Sequence, residues 1–228
     1  MWYERKRLIL LAVVAVGLGV GAVFIHGASR ETSLIGRLRT GTADEKVDAI
    51  YGLERINSDA AAGAIADSAA DGHPRVAGHA ISALGRMGRA EYLDRIRKGA
   101  DHGNAQVREA TAAAIGDLGG AADVPVLIHS LADTSQGPGV RAAAAGSLGK
   151  LNDYSAMPAL LHALEDPDPL VRGRAYTAVR RIIQLDVGYR ANDPPAKRAK
   201  AIARLRKLYP HLRARHEAYI RRQKEREQ

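Results

Sequence analysis

No cysteine occurs in the chain. Structural disulfides, thiolate nucleophiles and thiolate-bound metals are thereby excluded, although the absence does not say on which side of a membrane the chain resides. Aromatic rings are scarce, with one Phe and one Trp among 228 residues. A core short of large rings has to be assembled from small and aliphatic side chains, which suits closely approaching helices but leaves each helix marginal alone. The middle of the chain also lacks an excess of positive charge. Residues 41–185 carry fifteen Lys/Arg against eighteen Asp/Glu, whereas 1–40 carry six against two and 186–228 thirteen against five. The net charge of +9 therefore belongs to the ends, and the middle offers no dominant basic face to a duplex backbone. Metal-ligand spacing is absent as well. The eight histidines form no His-Glu-x-x-His or comparable close cluster, and no Ser-His-Asp set sits on a recognisable elbow. No catalytic residue, cofactor or metal ligand is assigned, and the chain reads as a non-enzyme.

What the sequence has is a repeat. The stretch Val76-Ala77-Gly78-His79-Ala80-Ile81-Ser82-Ala83-Leu84-Gly85 returns in altered form from Val107, from Val140 and from Val171, with leading valines 31, 33 and 31 residues apart. Periods of this length mark helical solenoids, in which each unit covers its neighbour's apolar face. Thr42 stands three residues before Glu45, as in a capping box. Val47, Ile50, Leu53 and Ile56 follow at three-residue steps and predict a first, lone helix. Four helix pairs are expected after it, with Pro125 and Pro158 in first turns where proline is tolerated. The second helix of each pair is expected to line the concave face.

The recurring unit, an Asp, a short turn, Val-Arg, then Ala-x-x-Ala-Leu-Gly-x-Leu, resembles HEAT-repeat proteins, especially the short bacterial type related to the repeats of phycocyanobilin lyases. It is carried by Asp101 with Val107-Arg108, Asp133 with Val140-Arg141, and Asp166 with Val171-Arg172, and extends over about residues 44–185. The resemblance implies an all-α fold, a right-handed α-solenoid of HEAT-like helix pairs, with the Asp and Arg residues paired into an inter-repeat ladder. It departs from the pattern at Ala77, which stands where an Arg is expected. It names no activity, because function does not follow from possessing the repeat. Gly85, Gly116 and Gly149 read as points of close helix contact.

Leu8 to Ile25 is an uncharged, mostly aliphatic run at the length of a single membrane span. Two readings compete: an uncleaved signal anchor, favoured by the length of the run, and a signal peptide cut after Gly27-Ala28-Ser29. Arg5, Lys6 and Arg7 before the span place the repeats outside the cytoplasm, a bias weakened by Arg30, Arg37 and Arg39 beyond it. The organisation expected is an anchor at 1–30, a juxtamembrane linker at 31–42, repeats at 43–186 and a basic helical tail at 187–228. In the tail, Ile202, Leu205 and Leu208 form an apolar edge, and Pro210 is expected to interrupt the helix.

The function expected is a scaffold tethered to the membrane by residues 8–25 and mediating protein–protein contact. An accessory factor of lyase-like or chaperone-like type is the alternative. The tail has three competing roles: capping the solenoid, touching anionic lipid or an acidic partner, and, least favoured, binding nucleic acid. Tyr92, Tyr154, Lys197, Arg198, Lys200, Arg204, Arg206 and Lys207 are the candidate partner contacts.

Overall fold

The computed structural model describes residues 29–226, which form helices and turns and no strand. Helix α1 covers residues 29–40, α2 Ala43–Ile56, α3 Asp59–Ser68, α4 Pro74–Arg86, α5 Leu93–Arg97, α6 Ala105–Leu118, α7 Val124–Ala132, α8 Pro138–Leu151, α9 Met157–Ala163, α10 Pro169–Ile183 and α11 Pro195–Arg226. The boundaries follow from local chemistry. Thr42 and Glu45 form the expected capping box before α2, and Ser58 caps α3 by accepting from the Ala61 N–H at 3.0 Å. Proline opens α4, α8 and α10, where its missing N–H costs nothing. Asn57, Asn152 and Gln184 leave α2, α8 and α10 in the left-handed conformation.

Short and long helices alternate, and the long ones, α2, α4, α6, α8 and α10, pack side by side in chain order as a right-handed solenoid. The repeat valines Val47, Val76, Val107, Val140 and Val171 are all buried, as are Ile50, Ile81, Ile115 and Leu148 on the same helices. Burying each such side chain contributes roughly 1.5–3 kcal/mol. The long helices approach closely at the recurring glycines. A Cβ on Gly116 would stand 2.7 Å from the Ser147 Cα, and one on Gly149 2.7 Å from the Ala178 Cα. No side chain fits there, so the glycine column sets the distance between neighbouring repeats.

The two ends differ from the sequence expectation. Residues 31–42, read as a linker, are helical to residue 40, with Leu38 buried and Leu34 lying against Gly52. Helix α1 thus supplies a partner for α2, and the described residues hold five helix pairs instead of four and a lone helix. At the other end, the connector after α10 closes the solenoid. Tyr189 is 1% exposed, donates its hydroxyl to the Leu164 carbonyl at 2.6 Å and packs its ring 4.9 Å from that of Tyr176. Helix α11 then runs unbroken through Pro210. Pro210 and Arg206 are both exposed, so the carbonyl deprived of its donor faces water. Packing on both sides of the proline holds the helix: Ile202 and Leu205 are buried, and Tyr209 and Leu212 lie against the core. The apolar edge therefore continues through Tyr209 and not through Leu208.

Among the described residues no helix is long and apolar enough to cross a membrane, and residues 8–25, on which the span was placed, lie outside the described residues. Membrane tethering, single-pass topology and an extracytoplasmic position of the repeats have no support, and the function is read without them.

Candidate interaction surface

The signature charges lie at the turns between short and long helices, and their partners decide what they do. Asp71, His102, Asp133 and Asp166 each accept, through Oδ1 or Nδ1, the N–H of the residue two places on, at 2.8–2.9 Å. This turn leads into each following long helix. Arg141 then reaches across to the next repeat, its Nε and Nη2 each 2.9 Å from the Asp166 carboxylate, while Nη1 donates to the Gln136 carbonyl. Both side chains are under a tenth exposed. Arg108 donates to the His102 and Gly103 carbonyls and, through Nε, to the Gln136 side chain at 2.7 Å, which in turn donates to Asp133. The longer turn before α8 separates Arg108 from Asp133 and inserts Gln136 as a relay. Arg172, on the last repeat, spends its guanidinium on the Asp166, Pro167 and Ala191 carbonyls. Asp71 is held by Lys46 at 2.7 Å. Burial pushes its carboxyl up, but the bonds from Lys46 and the His73 N–H outweigh that and leave it below its ordinary value.

One rung of this ladder is vacant. Ala77 occupies the Arg position, and the acceptor position facing it from the next repeat is His102, not the expected Asp101, which is exposed in the turn before it. Apart from the exposed Asp101, the charges of the signature are thus spent on the turns and on contacts between repeats, and they form no ligand-binding stripe among the described residues.

What the ladder leaves open is the concave face. A groove of about 680 Å³ runs across α4, α6, α8 and α10. Its floor is Gly78, Ala110, Ala113, Ala143 and Gly146, and its margins carry Arg75, His79, Glu109, Lys150, Leu170 and Arg174. Leu170 is half exposed. Arg75 is paired with Asp44 and Lys150 with Asp117, whereas among the described residues Glu109 and Arg174 make no ion pair. The His79 ring meets the exposed Tyr51 edge-on, with Nδ1 3.1 Å from its hydroxyl. Burial, with Arg75 and Arg86 close by, lowers the His79 imidazole below its ordinary value and favours the neutral form.

The sequence-predicted contacts fall elsewhere. Tyr92 is partly buried against the core, with Arg95 over its ring. Tyr154 is stacked on His216 of α11, ring centroids 4.1 Å apart. Lys197 bonds Asp193, Arg198 the Asp193 carbonyl and Arg206 the Glu165 carboxylate. Lys200, Arg204 and Lys207 are exposed on α11. The groove residues went unnoticed, yet a signal was present. In the second and third columns after the repeat valine, Glu109 stands among Gly78, Ala142 and Gly173, and His79 and Arg174 among Ala110 and Ala143. A charged residue in a column of small ones marks a surface position on the concave side.

No curated protein matches the chain in sequence. Among solved structures it is similar to the complex of CpcE and CpcF of phycocyanin lyase from Nostoc sp. PCC7120, at 21% identity and TM-score 0.61, over 68% of this chain and 65% of that one. The chain therefore spans just under two thirds of that relative's length. It is also similar to an engineered protein at 18% identity and TM-score 0.51, over 72% of this chain and 83% of that one. At these identities the likeness is one of fold. The sequence profile described as HEAT repeats matches residues 34–116, 62–144 and 134–218. These matches overlap into one span across the five helix pairs and into α11, and the chain belongs to the HEAT-repeat family.

Proposed function

We propose that the chain is a non-catalytic accessory subunit that acts by protein–protein contact, seating a polypeptide segment in the concave groove. The observation that carries this reading is the groove itself: a floor of Gly and Ala across three repeats, open enough for a backbone to approach, with charge and one exposed leucine at its margins. Small floor residues admit close main-chain approach, and a mixed rim supplies register. The similarity to a repeat chain from a two-chain lyase complex supports the accessory character, since a repeat subunit of that kind works beside another polypeptide. The buried Arg141 and Asp166 are bonded to one another and His79 is bonded to Tyr51, which supports the non-catalytic side of the reading.

Photo-crosslinking tests the proposal. A benzophenone amino acid placed at Ala110 or Ala143 in the groove is expected to trap one discrete polypeptide in the native cell, and the same probe at Pro125, exposed on α7, is expected not to. Gly146→Trp, which fills the floor, is expected to abolish the adduct while leaving the helical circular dichroism unchanged. Equal adducts from both positions, or adducts that survive the filled floor, would remove the groove from the function.

A further inference from the structure

We infer that the solvent face of α11 is a binding surface for the sugar–phosphate backbone of nucleic acid, separate from the groove. The structure divides the basic residues of this helix into two sets. Lys197, Arg198, Arg206 and Arg213 are engaged with Asp193, Glu165 and Glu217. Lys200, Arg204, Lys207, Arg215, Arg221, Arg222, Lys224 and Arg226 make no ion pair among the described residues and are exposed; Lys200, Arg204, Lys207, Arg215 and Arg222 form a stripe. The spacing of the stripe, with His211 included, is i, i+4, i+7, i+11, i+15 and i+22, which keeps it on one side of an unbroken helix. At 1.5 Å per residue the stripe is about 33 Å long, close to one turn of a duplex.

The surroundings of the stripe select among anionic partners. A protein interface concentrates apolar and aromatic residues at its centre and is poor in charge there; between these cations stand Ala203, Ala214, Ala218 and the half-buried Leu208, and no aromatic residue. A helix that enters a lipid surface needs a free apolar face. On α11 that face is spent on the solenoid through Ile202, Leu205, Tyr209 and Leu212, leaving only Tyr219 and Ile220 exposed beyond it. A uniform row of unpaired cations without an apolar anchor matches a partner of uniform charge density, read by backbone contact and not by base sequence. The body, with its small excess of acidic groups, takes no part.

Salt dependence of binding measures the number of phosphates engaged. With the full chain and a labelled mixed-sequence duplex of about 30 base pairs, followed by fluorescence anisotropy between about 50 and 200 mM salt, five contacts predict a slope of log K against log salt of about −4.5. Lys200→Ala, Arg204→Ala and Lys207→Ala together are expected to bring it to about −1.8, with helicity retained because Ala is at least as good a helix former. Arg213→Ala, on another side of the helix, is expected to leave the slope unchanged. The inference is overturned if no duplex binding is detected at about 50 mM salt, or if the triple variant keeps the full slope. It is equally overturned if poly-glutamate competes as well as duplex at equal charge, which would assign the stripe to acidic polypeptides. Binding to phosphatidylserine vesicles without binding to duplex would assign it to lipid and likewise end the proposal.

Discussion

Two junctions in the same solenoid are held in opposite ways. Between α8 and α10, Arg141 and Asp166 form a buried, doubly bonded ion pair. Between α4 and α6 both partners are gone, Ala77 standing for the Arg and His102 for the Asp, and a cavity of about 410 Å³ lined by Asp71, Gly99, His102 and Val107 lies beside it, between α3 and α5 with the turns that follow them. The long helices pack side by side in both places. What the two junctions share is the acceptor turn, in which His102 Nδ1 accepts from the Asn104 N–H as Asp166 Oδ1 accepts from the Asp168 N–H. The turn is therefore the indispensable element, and the cross-repeat ion pair is a device that can be dropped when both charges are dropped together. A buried pair gains little net stability over apolar packing, but half a pair is costly.

The largest expected effect breaks the complete rung by one half. Arg141→Ala leaves Asp166 buried without its cation and is expected to destabilise the protein by about 3–5 kcal/mol, read as a fall in the urea midpoint. Replacing both, as Arg141→Met with Asp166→Asn, is expected to recover most of that loss, because Asn keeps the side-chain oxygen that accepts the Asp168 N–H. If the double variant is no more stable than the single one, the ion pair is structural in its own right and the comparison fails.

The next effect tests what else keeps the two junctions alike. A methyl group at Gly116 meets Ser147 and forces neighbouring repeats apart, so Gly116→Ala is expected to cost about 1–3 kcal/mol. At Gly85 the nearest atom to an added Cβ is the Ala114 Cβ at 3.1 Å, a gap that a shift of a few tenths of an ångström opens. Gly85→Ala is expected to cost less than Gly116→Ala in the same urea titration. Equal costs would mean that the spacing of repeats is not set by the glycine column.

Rebuilding the vacant rung sharpens the comparison. Ala77→Arg alone buries a guanidinium facing His102, and His102→Asp alone adds a carboxylate with no cation from α4. Together they recreate the Arg141–Asp166 arrangement, and the double-mutant cycle is expected to show a favourable coupling of roughly 1–2 kcal/mol. A coupling near zero would show that the α4–α6 junction has a geometry of its own and is not a rung with its charges removed.

These junctions also show how far the sequence can be read. The repeat valines, the Thr42–Glu45 box and the close glycines were legible because each is a local pattern with one physical meaning; their period marked a helical solenoid, and its right hand was implied by the resemblance to HEAT repeats. The partner of each Arg was less legible. Gln136 enters the ladder only because a turn two residues longer displaces Asp133, and His102 replaces Asp101 only when the turn bond is counted from the valine. Tyr189 lay in a turn-rich segment with no periodicity, yet it is the side chain that closes the last repeat. Of the site, the cationic residues of α11 were visible as composition, but their division into bonded and free sets depends on Asp193, Glu165 and Glu217. The groove was missed because its floor is Ala and Gly, which carry no signal except as the background against which Glu109 and Arg174 stand out.

The smallest expected effect lies beside the vacant rung. The Thr111 hydroxyl is fully buried and has no hydrogen-bond partner among the described residues. The equivalent positions in neighbouring repeats are Ala80, Ala144 and Ala175. Gly99 gives it room, since a Cβ there would lie 2.2 Å from the Thr111 Oγ1, and the positions equivalent to Gly99 hold Ser68, Ser130 and Ala163. An unpaired buried hydroxyl carries a desolvation penalty that a methyl group of the same shape avoids. Thr111→Val is therefore expected to stabilise the protein by about 0.5–1 kcal/mol, seen as a higher urea midpoint with an unchanged slope. Gly99→Ala is expected to destabilise it while Thr111 remains and to be tolerated once Thr111 is Ala, as at the other junctions. If Thr111→Val instead lowers the midpoint, the hydroxyl is bonded in solution to water admitted by the neighbouring cavity, and the vacant rung is a hydrated junction where the others are dry.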